Sequence, residues 1–192
     1  LPQRTVPDYC EMVLVANATG MPADRGDFHA PLTRAFELAE VYKPAAEGGV
    51  LARTGTLDVF NCLRRSDEAS FAGGVFVVVG WPDADTGRLL MGKGIPSSRD
   101  NRYGLIYNPS HLLGVEAPMS ILAATRAGNP NVDESYRPVA DMVARADADL
   151  PAGRKLDIVG NRHVVPGLVA EMARARAVKA GAPCPYYMAV GR

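Results

Sequence analysis

The sequence predicts an α+β fold, in which a mixed sheet with covering helices is followed by a smaller β-rich module. Three observations carry this prediction. An amphipathic helix pattern follows Thr5, with Tyr9, Met12, Val13 and Ala16 on its apolar side. The run GVFVVVGW (residues 74–81) is almost continuously apolar, which is typical of a strand buried on both faces. A polar, turn-rich segment at residues 129–135 then separates a second group of short extended runs.

The first helix is expected to end around Asn17 to Gly20, because Gly20 suits a C-terminal cap and Pro22 follows it. The Asp-, Gly- and Pro-rich stretch after it predicts a loop over residues 21–31, and a short helix is expected over 31–42. Strands are predicted at 50–51, 57–63 and 74–81, a turn at 82–87, and further strands at 89–91 and 105–107. A helix is predicted over 110–126, with Pro118 expected to kink or restart it.

In the second module the pattern predicts a strand over 138–144 and a turn at Pro151 to Gly153. A helix over 166–179 and an extended run over 186–190 complete the expected elements. The predicted domains are therefore residues 1–130 and 131–192.

Bulk properties exclude several classes of protein. With 192 residues and 47% hydrophobic side chains, the chain is long enough to bury a substantial core. Lys and Arg number 21, as do Asp and Glu, and this neutral balance gives no basic surface for nucleic acid or an anionic membrane. No apolar run approaches the roughly 20 residues that span a bilayer. Three widely spaced cysteines fit reduced thiols, and hence a cytoplasmic protein, better than disulfides.

Four segments in one order carry a family resemblance: EMVLVANATG (11–20), GGVFVVV (73–79), YNPSHLLGVEAPMSI (107–121) and VADMVARADADLPAGRKLD (139–157). Together they resemble the region after the Rossmann domain in oxidoreductases of the deoxyxylulose-phosphate-reductoisomerase-like and homoserine-dehydrogenase-like group. In that group the region leads into a small β-clip (SAF-like) module. The turn DLPAGRKLD resembles the motif that opens such modules. The resemblance implies a homo-oligomer that acts on a small polyol phosphate, hydroxy acid or aldehyde.

The resemblance also implies a Rossmann domain that binds NADP or NAD and that is missing from these residues. We expect it to precede Leu1 or to lie on a partner chain, with the SAF-like module truncated at Arg192. No G-x-G-x-x-G motif is present, and Gly92-Lys93-Gly94 lacks the third glycine. This chain alone is therefore expected to bind no cofactor and to be inactive. The alternative is a non-catalytic module for carbohydrate-like ligands or oligomerisation.

The resemblance assigns candidate catalytic roles to two residues. His111 matches the family's histidine in "YHL" at a helix start, where the helix dipole favours neutral imidazole. Glu116 on the same helix is the candidate proton-transfer group. The alternatives are a histidine that caps its helix or is hydrogen-bonded in the core, and a glutamate that pairs with Arg126 or Arg102.

Candidate substrate-binding residues come from four segments. His29 and Arg25 lie in RGDFHAP, which resembles the family loop "RGMHGP", and the alternative for His29 is an exposed loop residue. Asn17 and Thr19 end the first helix, where local hydrogen bonding explains them equally well. The remaining candidates are Lys93 among its glycines, Tyr107, and Asn108, where the family has Arg. The histidines show no metal-ligand spacing, so no metal site is expected.

Overall fold

The structure is a computed structural model that describes residues 9–68, 70–71, 73–128, 138–146, 148–153, 168–174 and 190–191. Contacts divide the chain into two compact units. Unit 1 comprises Leu1–His29, Gly55–Val59 and Val132–Arg192, and unit 2 comprises Ala30–Thr54 and Phe60–Asn131. The combination of helices and small sheets confirms an α+β fold. The predicted SAF-like β-clip, and the division of the chain at residue 130, stay predictions.

Unit 1 is built on a three-stranded sheet with a helix against it. Helix α1 spans Tyr9–Thr19, and strands β5 (Ala140–Ala146), β6 (Leu168–Arg174) and β7 (Val190–Gly191) form the sheet. Strand β5 is central, with β6 antiparallel on one side and β7 parallel on the other. The buried side chains of this unit include Ala16, Phe28, Leu57, Ala140 and Met172.

Several expectations for unit 1 are confirmed and one is wrong. Helix α1 ends as predicted, with Gly20 at φ +70°, and Gly153 also has a positive φ, +79°, in its turn. The expected strand at 138–144 is β5. Within the helix expected over 166–179, the described residues 168–174 form strand β6, and the remaining residues of that range lie outside the described part of the chain. The Ala, Glu, Met and Arg residues of β6 favour helices, but seven residues paired with β5 override that local preference.

Unit 2 contains two small sheets and short helices. Strands β1 (Leu32–Thr33) and β2 (Asn61–Cys62) pair in parallel, and β3 (Val75–Gly80) pairs antiparallel with β4 (Tyr103–Asn108). The helices are α2 (Leu38–Val41), α3 (Ala84–Gly92) and α4 (Leu113–Arg126), with 3₁₀ turns at Ala35–Glu37 and Ala45–Glu47. The core comprises Leu38, Ala39, Tyr42, Leu51, Tyr103 and Leu105.

The strands at β3 and β4 were predicted, but the predicted burial of residues 74–81 on both faces is wrong. Phe76 and Val78 face the core, whereas Val75 and Val77 are 65% and 54% exposed. Among the described residues, β4 is the one strand that pairs with β3, so β3 is an edge strand rather than a central one. A run of valines occurs in strands with one buried face as well as in strands buried on both faces. Hydropathy alone therefore could not predict that β3 has one exposed face.

The expected strand at 89–91 is also wrong, since these residues lie in α3. Asp83 caps the helix, accepting a hydrogen bond from the Thr86 backbone N–H at 2.7 Å and one from its hydroxyl at 3.1 Å. This N-cap signal outweighs the strand-like Leu-Leu-Met run. The helix expected over 31–42 is reduced to the turn at Ala35–Glu37 and α2. The predicted helix over 110–126 is confirmed as α4, which continues through Pro118.

Candidate functional site in the His29 loop

Residues 20–29 of unit 1, here called the His29 loop, carry a cluster of charged and polar side chains. The loop is anchored by its neighbours in the unit. Phe28 is fully buried and stacks on Tyr9 of α1, with ring centroids 5.5 Å apart. The Gly26 carbonyl accepts a hydrogen bond from the Met172 N–H of β6, and the Pro22 carbonyl accepts one from Leu57 N–H. Apolar burial and backbone pairing therefore hold the loop at three points.

The His29 imidazole is fixed by a carboxylate within the loop. Its Nε2 lies 2.9 Å from Oδ2 of Asp24, a hydrogen-bonding distance. The Asp24 side chain is 4% exposed and the His29 side chain 18%. The carboxylate of this pair is thus shielded from water, whereas the imidazole keeps a small exposed surface.

The backbone at His29 is held by a second carboxylate, from the segment Gly55–Val59. Both carboxylate oxygens of Asp58 accept from the His29 N–H, at 3.1 and 3.0 Å, and Oδ1 also accepts from Val59 N–H at 2.8 Å. The flanking residues Phe28 and Ala30 have φ of +56° and +44°, a region that non-glycine residues rarely adopt. Strained backbone of this kind persists where surrounding contacts over-determine it, and it clusters at functional sites.

Arg25 completes the cluster as a surface ion pair. Its guanidinium donates two hydrogen bonds to Asp27, at 2.8 and 2.7 Å. Asp27, and to a smaller extent Asp58 and Asp24, raise the pKa of Arg25. Three carboxylates thus face one guanidinium and one imidazole, so the loop carries a net negative charge when His29 is neutral.

Two of the predicted substrate-binding residues occupy structural positions. Asn17 is buried, and its side-chain amide accepts from Val139 N–H (2.7 Å) and Ala140 N–H (2.9 Å) and donates to the Ala140 carbonyl. This amide aligns the start of β5 beside α1. Thr19 donates to the Val15 carbonyl within α1. Their part in substrate binding stays a prediction.

The two predicted catalytic residues lie together at the start of α4 in unit 2. His111 Nδ1 is 4.0 Å from Glu116 Oε2, and both side chains are exposed. Glu116 also accepts a hydrogen bond from the Leu112 N–H at the start of the helix. The His111 ring lies against Gly73, where a Cβ would lie 3.0 Å from Nε2.

The other candidates of unit 2 lie nearby or at the end of α3. Tyr107 contacts the rings of Phe36 and Phe71, and Asn108 accepts from the Ser110 N–H. Lys93 is exposed and follows α3 as its C-cap residue. The structure thus places His29 and Arg25 in one loop with separate carboxylate partners, and it pairs His111 with Glu116 at the start of α4. Asp24 and Asp58 were not among the predicted site residues, since three aspartates near one loop do not reveal which of them will reach the histidine.

The described ranges contain no group of three His, Cys, Asp or Glu side chains able to hold a metal ion. Within the same ranges, no helix is long and apolar enough to span a membrane.

The family model for the catalytic domain of oxidoreductase DRL matches residues 7–117, more than half of the chain. The chain belongs to this family. The match includes the His29 loop, Asp58 and the first turn of α4. A search of curated protein sequences finds no match. Membership of the DRL family makes this region an oxidoreductase-type catalytic domain.

Proposed function

We propose that this DRL-family chain is the substrate-binding and assembly portion of an NAD(P)-dependent oxidoreductase. Its substrate is a small polyol phosphate, hydroxy acid or aldehyde, and NADP or NAD is bound by a Rossmann domain outside these residues. The observation that carries the proposal is the His29 loop, an anchored segment inside the matched region that presents an imidazole bound to a buried carboxylate. Such groups orient a hydroxyl or carbonyl oxygen by hydrogen bonding.

The described residues do not fit the cofactor. A dinucleotide pyrophosphate is bound by a glycine-rich turn whose N–H groups open a helix. Here Gly92-Lys93-Gly94 lies at the opposite end of a helix: Gly92 ends α3 and Lys93 is its C-cap residue. Helix C-termini present carbonyl oxygens, which repel phosphate. The nicotinamide would supply the hydride chemistry, and the role assigned to this chain is confined to its own residues, which bind and orient the substrate.

A second candidate is a non-catalytic ligand-binding or oligomerisation module. The exposed apolar face of the β3–β4 sheet favours it, since Val75, Val77 and Ile106 are all more than half exposed. Such surfaces are typical of contacts between subunits. A homo-oligomer is compatible with both functions, as is a cytoplasmic location.

Ligand titration tests the proposal. Isotope-labelled chain is titrated with NADPH, and separately with a panel of polyol phosphates, hydroxy acids and aldehydes, while backbone and histidine-ring NMR signals are followed. We expect no saturable micromolar binding of NADPH, and saturable shifts at residues 24–29 with at least one member of the panel.

Two variants make the titration specific. His29→Gln should abolish the shifts, whereas Arg88→Gln, on the exposed side of α3, should leave them unchanged. Micromolar NADPH binding would contradict the missing cofactor half. Binding that is lost in His111→Gln and kept in His29→Gln would move the site to the start of α4.

A further inference from the structure

The contact with Asp24 selects one tautomer of the neutral His29 ring. An ionised carboxylate only accepts hydrogen bonds, so the imidazole nitrogen that faces it, Nε2, carries the hydrogen. Neutral imidazole has one N–H, which leaves a lone pair on Nδ1. Among the residues that the structure describes, Nδ1 of His29 has no hydrogen-bond partner. The ring therefore presents a basic nitrogen that the described residues leave available.

The contacts of the loop fix the direction of that nitrogen. Asp24 orients the ring from the Nε2 side, and Asp58 holds the His29 backbone N–H with both of its oxygens. Phe28, which precedes His29, is held in place because its ring is buried and stacks on Tyr9. A base that is held from the ring and from the backbone loses little entropy when a substrate binds.

We infer that Asp24 and His29 form a proton-transfer pair, in which Nδ1 of His29 exchanges a proton with the hydroxyl or carbonyl oxygen of the substrate. When a hydroxyl reacts, its O–H bond breaks, the electron pair stays on oxygen, and an N–H bond forms at Nδ1. The reverse transfer protonates an oxygen. Asp24 stabilises the resulting imidazolium, and Asp24 and Asp58 are positioning residues. The inference rests on the proposed function.

The charge of the loop constrains which part of a substrate binds there. Asp24, Asp27 and Asp58 all lie near Arg25, whose guanidinium is already engaged by Asp27. A phosphate or carboxylate at His29 would meet this surplus of negative charge. The uncharged hydroxyl or carbonyl end of the substrate therefore lies at His29, and the anionic end points away from the loop.

The tautomer of His29 tests the pair without requiring turnover. Long-range ¹⁵N–¹H NMR of the whole chain, at a pH where the ring is neutral, distinguishes Nε2–H from Nδ1–H histidine. We expect the Nε2–H form to predominate. Asp24→Asn should lower the ratio of Nε2–H to Nδ1–H about tenfold, because a neutral amide accepts a weaker hydrogen bond and can also donate one.

The matched control is Asp27→Asn, the same change at the exposed ion pair, which should leave the ratio unchanged. A wild-type ring in the Nδ1–H form, or in an equal mixture, would overturn the inference even if Asp24→Asn failed to fold. The tautomer measurement and the ligand titration test the pair and the proposed function separately. An Nε2–H ring in a chain that binds no member of the ligand panel would refute the function alone, whereas ligand binding with an Nδ1–H ring would refute the pair alone.

Discussion

At the scale of single residues, Asp58 is the group on which the His29 backbone depends most. In Asp58→Asn the charge-assisted hydrogen bonds to the His29 and Val59 N–H groups weaken or are lost. We expect the free energy of unfolding to fall by about 1–3 kcal/mol, measured by urea denaturation, with shifts of both amide signals. Asp27→Asn should change the stability little, since its ion pair is exposed. Unmoved amide signals in Asp58→Asn would contradict this assignment.

Asn17 provides the second prediction at this scale. Asn17→Leu keeps the branched shape of the side chain but leaves the backbone groups of Val139 and Ala140 without their amide partner. The expected loss is about 2–4 kcal/mol of unfolding free energy, since each unsatisfied buried polar group costs about 1–3 kcal/mol. Thr19→Ala, which removes one exposed hydrogen bond on the same helix, should cost less than about 1 kcal/mol. Equal effects of the two changes would show that Asn17 does not align β5.

The sequence identifies the chemistry of these residues better than their partners. A loop with Arg, Asp, Gly and His predicts a polar segment, and His29 was a candidate on that ground. Its partner Asp24 lies five residues away with no regular spacing, and Asp58 reaches it because the chain returns 29 residues later. Asn17 illustrates the opposite failure. Its bonds to β5 span more than 120 residues, so the sequence could present it only as a free polar group near a helix end.

At the scale of elements, adjacent residues of β4 face opposite sides. Leu105 is fully buried in the core of unit 2, whereas Ile106 is exposed opposite Val77. We expect Leu105→Ala to cost about 2–5 kcal/mol of unfolding free energy and Ile106→Ala less than about 1 kcal/mol. Urea denaturation of both variants measures the difference. A large loss in Ile106→Ala would mean that the outer face of the sheet is covered in solution.

Elements with a strong local signal were predictable, and elements set by distant pairing were not. Helix α1 has a glycine stop, and strand β3 has a valine run, so both were located. Helix α3 was missed although Asp83 and Thr86 formed a recognisable cap. Strand β6 was missed for another reason, since its sequence favours a helix and its conformation is set by β5, which lies more than 20 residues earlier.

At the scale of the whole molecule, a charged group inside unit 2 should affect the response to acid. The Lys43 ammonium is 6% exposed and contacts Glu40 at 2.8 Å and Asp100 at 3.6 Å. The Lys43 hydrogen bond lowers the pKa of Glu40, and the Arg99 N–H contributes. The Ser98 hydroxyl, the Arg102 N–H and Lys43 lower the pKa of Asp100. Glu40, above all, raises the pKa of Lys43.

The direction of each effect determines the pH window. A carboxylate with a lowered folded-state pKa stabilises the folded protein fully when the pH is above its ordinary pKa of about 4. This stabilisation is lost as the pH falls through the folded-state pKa. Lys43, with a raised pKa, stabilises fully below its ordinary value and loses this contribution only at alkaline pH. We expect the unfolding free energy to fall below about pH 5, and to fall less steeply in Lys43→Met.

Urea denaturation from pH 7 to pH 3 measures both slopes. Arg88→Met, which removes an exposed ion pair with Asp85, is the control and should keep the wild-type slope. An acid response of Lys43→Met that is as steep as that of the wild type would exclude the buried lysine as its source.

The way in which unit 1 is held together also constrains the order of events during translation. The Gly26 carbonyl of the His29 loop bonds to Met172, and α1 is joined to β5 through Asn17. The ribosome synthesises these partners more than 100 residues after the loop, which takes on the order of 10 s at about 5–20 residues per second. The residues proposed to exchange a proton with the substrate therefore reach their working arrangement only after β5 and β6 have been synthesised.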